Sequence, residues 1–90
     1  MLNIREIKNT LKKQIIEELN LQEMKPEDIE DDAPLFGDGL GLDSIDALEL
    51  VVLMEKYYGV KILDETMGRK VLASITTMAE YIQEENSKNA

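Results

Sequence analysis

The sequence predicts an all-α fold: a small up-down bundle of about four helices, with a long loop between the first and the second. Three observations predict it. Apolar residues recur every three or four positions in three separate segments. No alternating apolar stretch is long enough to seed a sheet. The chain's 90 residues suit a single domain, 1–90, with one modest core and a tail at 85–90 expected to fray.

The first segment carries Ile4, Ile7, Leu11, Ile15 and Leu19, one face of an amphipathic helix that Asn3 can cap. QEMKPEDIEDDAPLFGDGLGL then reads as the long loop. It is punctuated by prolines and glycines and pinned by Ile29, Leu35 and Phe36. Loops of this length in compact domains usually have a job or are disordered. Asp43 is placed to cap the next helix, Asp46 adds negative charge to its first turn, and helix formers continue to Tyr58 before Gly59 ends it. Val60 to Ile62 reads as briefly extended, and LDETMGRKVLA as a short helix interrupted or shifted by Gly68. Thr77 and Glu80 match a capping-box spacing, and Ile75, Met78, Ala79 and Ile82 form the last helical face.

Charge and composition narrow the function. A formal net charge of −9 repels phosphate backbones and anionic lipid, so basic protein partners are expected rather than nucleic acid. The N-terminal MLNIREIKNTLKK is charged throughout, and no run approaches membrane-spanning length. A monomeric cytoplasmic protein without stable membrane insertion is the expectation. Without cysteine or histidine the chain has no thiol nucleophile, no thiolate metal site, and neither the commonest general base nor the commonest transition-metal ligand. The acidic loop does not spell an EF-hand: counted from Asp28, Ala33 and Gly39 stand where glycine and glutamate are needed.

The helix after Asp43 has two apolar stripes. At roughly 100° per residue, Ala47, Leu50, Val51, Met54, Tyr57 and Tyr58 gather on one broad side, which is read as the core face. Ile45, Leu48 and Val52 fall on another side, bordered by Glu55 on one flank and by Glu49 and Lys56 on the other, with Asp46 further round. For a small bundle the ordinary reading packs this second stripe beneath the loop or against the first helix. The functional reading is an apolar strip with an acidic fringe, suited to a basic surface with an apolar groove. Ser44 directly follows the cap, where first-turn amides and the helix dipole favour an attached anion by about 0.3–1 kcal/mol. Asp43 and Asp46 oppose a dianion there more than a singly charged phosphodiester. Taken alone, a serine here is an ordinary helix start.

The run GLDSIDALELVVLMEKYYGVKI resembles the attachment region of acyl carrier proteins, where an Asp-Ser-Leu core opens the second helix and the serine carries 4′-phosphopantetheine. Ser44 and Asp43 match that pair, and Ile45 stands where leucine is usual. The resemblance spans nearly the whole chain: the first amphipathic helix, the Leu35-Phe36 pair, the extended Gly-Val-Lys-Ile segment and the final ITTMAEYI stretch. It implies a non-catalytic carrier whose prosthetic arm supplies the sulfur the protein lacks, so that acyl groups travel as thioesters to partner enzymes. The implied partners are a phosphopantetheinyl transferase and the loading, synthase or transferase enzymes of a fatty-acid, polyketide or other dedicated lipid pathway. The resemblance further implies docking through Asp43, Asp46, Glu49 and Glu55 around Ile45, Leu48 and Val52. It also implies cargo lying between helices, with Leu50, Val51, Met54, Ile62, Ala73 and Ile75 as lining. The bare residues are equally read as plain core.

Lys56, the absence of proline after Ile62, and the basic Arg69 and Lys70 beside Gly68 depart from housekeeping fatty-acid carriers and favour a specialised one. Peptidyl, aminoacyl and D-alanyl carriers share the attachment chemistry, so the cargo stays open at this point. A non-carrier acidic interaction module with a bare Ser44 is the remaining alternative.

Overall fold

The computed structural model describes residues 3–21, 23–37, 39 and 41–88. Within them the chain forms four α-helices: α1 (Ile4–Glu18), α2 (Ser44–Tyr58), α3 (Glu65–Val71) and α4 (Ile75–Lys88). A single 3-10 turn at Pro26–Asp28 interrupts the loop between α1 and α2. No strand occurs among the described residues, and 60–62 is irregular; the sole β-type contact is an isolated bridge between Phe36 and Leu42.

Each helix begins where a short polar side chain can take up first-turn amides. The Glu6 N–H donates to Asn3 Oδ1 at 2.9 Å and opens α1. The Met67 N–H donates to Asp64 Oδ1 at 2.7 Å and opens α3. α4 starts earlier than the Thr77–Glu80 spacing suggests. Ser74 is its cap: the Thr77 N–H donates to Ser74 Oγ at 3.2 Å, and the Ser74 N–H donates to Thr77 Oγ1 at 2.9 Å. Thr77 is therefore the inner half of a capping pair, with a hydroxyl replacing the usual Glu or Gln. α2 ends at Gly59, whose φ of 66° is the left-handed conformation glycine adopts without a steric penalty. α4 runs to Lys88, through most of the stretch expected to fray, and residues 89–90 lie outside the described set.

Ile7, Leu11 and Ile15 of α1, Leu50, Leu53 and Met54 of α2, and Ile75, Met78, Ala79 and Ile82 of α4 are buried in one core. Deleting any of the large ones would leave a cavity worth about 2–5 kcal/mol. Ile29 and Leu35 add to this core from the loop. The loop is also stitched to the α3–α4 turn. The Leu35 N–H donates to the Ala73 carbonyl at 3.1 Å, and the Thr76 N–H donates to the Asp31 carbonyl at 2.9 Å. The Thr76 hydroxyl reaches Asp32 Oδ1 at 2.6 Å. From α1, Lys12 Nζ meets Asp31 Oδ1 at 2.5 Å, with Lys8 behind it at 3.7 Å. Gly39 is obligatory in this loop, because a Cβ there would lie 1.5 Å from the Pro34 carbonyl oxygen. These bonds anchor residues 31–35 of the loop to α1 and to the α3–α4 turn.

Two residues of α2 differ from the helical-wheel reading. Leu53 is buried although periodicity did not mark it, and Tyr57 is exposed although it was placed on the core face. Both lie on the flank that meets α1. There the Tyr57 hydroxyl donates to Glu18 Oε1 at 2.7 Å, and Lys56 Nζ approaches the same oxygen at 3.5 Å. Tyr57 therefore lies across the helix junction with its hydroxyl on a carboxylate. One turn away, half-buried Tyr58 donates to Gln14 Oε1 at 2.5 Å, and burial pushes its phenol up to about 12.

Candidate functional site

Ser44 is the first residue of α2 and is exposed, and its hydroxyl makes no hydrogen bond among the described residues. The cap immediately before it explains its position. The Ile45 and Asp46 N–H groups donate to Asp43 Oδ1 at 3.0 and 3.1 Å, and the Asp43 N–H donates to Asp46 Oδ2 at 3.0 Å. This reciprocal box fixes the direction in which the helix leaves the loop. It also corrects part of the electrostatic argument from sequence. An anion attached at Ser44 still meets the positive end of the helix dipole, but Asp43 has already taken the two amides that would otherwise bind it.

Beside Ser44 lies an open groove of about 890 Å³. Its walls come from three separate parts of the chain: Phe36 and Leu42 of the loop, Ala47, Leu48 and Val51 of α2, and Ile62 through Leu72 around α3. Of the six residues proposed to line a cargo site, Val51, Ile62 and Ala73 border this groove. Leu50, Met54 and Ile75 do not. They are fully buried in the central core, where α1 packs against both α2 and α4. Phe36, Leu63, Gly68 and Leu72 were missed as wall residues. Phe36, Leu63 and Leu72 signalled only as apolar residues outside the helical periods, and Gly68 only as a glycine inside a short helix.

Adjoining this groove, and sharing Leu48 with it, runs the second apolar stripe of α2. Ile45, Leu48 and Val52 are 67%, 68% and 60% exposed, so neither the loop nor α1 covers them. Leu63, 79% exposed, faces the same groove as Leu48 from the start of α3. Glu49 and Glu55 flank the stripe, exposed and without an ion pair among the described residues. Lys56 does not extend this fringe outward. It is drawn back to Glu18 and lies over the Tyr57 ring, 5.1 Å from its centroid. The Tyr57 hydroxyl bond, reinforced by the Lys56 charge, holds the Glu18 carboxyl below its ordinary value, and Glu18 in turn raises Lys56. Arg69, on the groove rim, is paired with Glu65 at 2.7 Å.

No helix among the described residues is long and apolar enough to cross a membrane. What the arrangement offers is an accessible hydroxyl at a capped helix start, an apolar groove beside it, and an acid-fringed apolar stripe that meets the groove at Leu48.

A family model described as the phosphopantetheine attachment site matches residues 9–82. The acyl carrier protein of Buchnera aphidicola subsp. Acyrthosiphon pisum is 33% identical over 85 residues, covering 94% of this chain and 99% of that protein. The acyl carrier protein of Wolinella succinogenes is 30% identical over 73 residues, covering 81% and 88%. The meromycolate extension acyl carrier protein of Mycobacterium leprae is 38% identical over 56 residues, covering 61% of this chain and 49% of that protein. The fold and the match thus define a phosphopantetheine-dependent carrier. The chain belongs to the acyl carrier protein family, whose cofactor is 4′-phosphopantetheine and whose members interact with synthase and transferase enzymes.

The residues present fit that group. An esterified Ser44 needs an exposed, uncommitted hydroxyl and room for an arm, and both are found at the mouth of the groove.

Proposed function

We propose that Ser44 is the attachment residue and that the chain carries acyl groups between enzymes of a dedicated lipid pathway without catalysing their chemistry. The observation that carries this reading is the free Ser44 hydroxyl at the first turn of α2, opening onto an apolar groove. When bound, 4′-phosphopantetheine supplies a flexible thiol on which an acyl group rides as a thioester. The protein's own residues orient and shelter it. Asp43 and Asp46 hold the helix start so that the serine oxygen faces a modifying enzyme. Val51, Ile62 and Ala73, with Phe36 and Leu72, offer an apolar wall that keeps water from cargo folded back against the domain.

Delivery falls to the exposed stripe. Ile45, Leu48 and Val52 supply apolar contact, and Glu49 and Glu55 supply charge complementary to a basic patch on a phosphopantetheinyl transferase or a loading or transferase enzyme. Weak, fast docking suits a shuttle, because tethering raises the cargo's local concentration at whichever enzyme is engaged. The departures at Lys56, Arg69 and Lys70 support a specialised pathway.

Intact mass tests the reading. Incubation with a phosphopantetheinyl transferase and coenzyme A should add one phosphopantetheine to the natural chain and none to Ser44→Ala. A natural chain that gains no mass, or a Ser44→Ala variant that still gains it, overturns the proposal. Loading of the modified chain by an amino-acid-adenylating enzyme alone would replace the acyl assignment with an aminoacyl one.

A further inference from the structure

Gly68 stands in the middle of α3, where glycine weakens a seven-residue helix by adding freedom to the unfolded chain while burying no side chain. The usual reasons for a glycine do not apply. Its backbone is not left-handed, unlike that of Gly37, Gly41 and Gly59. Close packing does not exclude a side chain either. A Cβ at Gly68 would meet Ile62 Cγ2 at 3.5 Å, an ordinary van der Waals distance, whereas a Cβ at Gly39 would collide with the backbone of Pro34. What Gly68 does border is the groove beside Ser44, whose walls also include Val51, Ile62 and Leu72. A side chain growing from that Cβ starts against Ile62, itself part of the wall. It must therefore take its volume from the groove or push Ile62 into it.

We propose that Gly68 is a specificity-determining residue: its missing side chain keeps the space between α2 and α3 open for a long apolar acyl group. This rests on the reading of Ser44 as the carrier of an acyl arm. The lining supports an apolar occupant, since Phe36, Leu42, Ala47, Val51, Ile62 and Leu72 carry no polar side-chain atom. The charged Glu65–Arg69 pair is exposed at the rim. Cargo that enters the groove binds the folded state alone and so raises the melting temperature, and the size of that rise reports how well the groove accepts it.

The experiment compares the natural chain with Gly68→Ala and Gly68→Leu, each bearing phosphopantetheine that is free, butyrylated or dodecanoylated. Thermal unfolding and intact mass are read for every form. In the natural chain, dodecanoyl should raise Tm more than butyryl. Gly68→Leu should keep its butyryl response and lose the dodecanoyl rise. Gly68→Ala should show a higher Tm with the free arm, from better helix propensity, and a smaller dodecanoyl rise. An undiminished dodecanoyl rise in Gly68→Leu, or no such rise in the natural chain, overturns the proposal. If Gly68→Leu does not unfold cooperatively, Gly68→Ala decides: a reduced rise supports the role and an unchanged one removes it. A natural chain that takes up no phosphopantetheine removes the carrier reading itself, and this inference with it. An arm that attaches normally while all three chains respond alike removes only the role of Gly68.

Discussion

Asp43 and Asp46 cap the same helix for each other: the carboxylate of Asp43 accepts the Asp46 N–H at 3.1 Å, and the carboxylate of Asp46 accepts the Asp43 N–H at 3.0 Å. This exchange gives Asp46 a structural duty that its place in the sequence motif hides. Asp43→Ala should cost about 1 kcal/mol, within the 0.5–2 kcal/mol range of lost N-caps, and lower Tm by about 4–8 °C for a domain of this size. Asp46→Lys should also destabilise, because it removes the return bond and places a cation at the positive end of the helix dipole. Thermal or urea unfolding checks both. A Tm unchanged in Asp43→Ala would mean that the cap does not hold the attachment corner.

Asp31 ties the long loop to α1, and the tie should titrate. The hydrogen bond from Lys12, with the charges of Lys12 and Lys8 behind it, holds the Asp31 carboxyl below its ordinary value of 3.8 against the opposing effect of burial. A carboxyl whose folded pKa is depressed contributes stability that is complete above its unfolded pKa and is lost as pH falls through the folded one. The ion pair is partly exposed, so solvent screening keeps the effect modest. Asp31→Asn should therefore melt below the natural chain at neutral pH, and the gap should close as pH drops below about 4. A gap that persists at low pH would assign the loss to the loop's hydrogen bonding instead of the charge.

Glu49 and Glu55 are the acids that test docking without touching the fold, since neither caps a helix nor makes an ion pair among the described residues. Replacing either with lysine should leave Tm nearly unchanged, within about 0.5 kcal/mol. It should slow modification by a basic transferase by up to about 1 kcal/mol, roughly fivefold in kcat/KM. The defect should shrink as salt is added. Ile45→Ser should give a similar loss that salt does not alter. Unchanged kinetics in all three variants would remove the stripe from the docking account.

Much of this was legible in the sequence because helices announce themselves through period and caps. Asn3, Asp43 and Gly59 marked the ends of α1 and α2 where the structure has them. The stripe of Ile45, Leu48 and Val52 followed from the same periodicity, but its exposure did not, since the ordinary reading packed it beneath the loop or against α1. Residues whose environment is set by another element were less legible. Tyr57 leaves the core because Glu18 accepts its hydroxyl, and Leu53 enters it on the flank that faces α1. The groove was the least legible feature. Phe36, Val51, Leu63 and Leu72 come from three parts of the chain with no shared period, and the pattern of α2 alone could not separate wall residues from Leu50 and Met54 behind them.

The packing of α1 against α4 has a consequence for biosynthesis. Translation delivers α1 and α2 before α4, yet Ile7, Leu11 and Ile15 share their core with Ile75, Met78 and Ile82 of α4. The loop stitch at Thr76 also waits for the start of α4. A nascent chain that stops short of Ile75 therefore has no closed interior for α1 and α2 to pack into, although the Asp43–Asp46 box at the start of α2 is already complete.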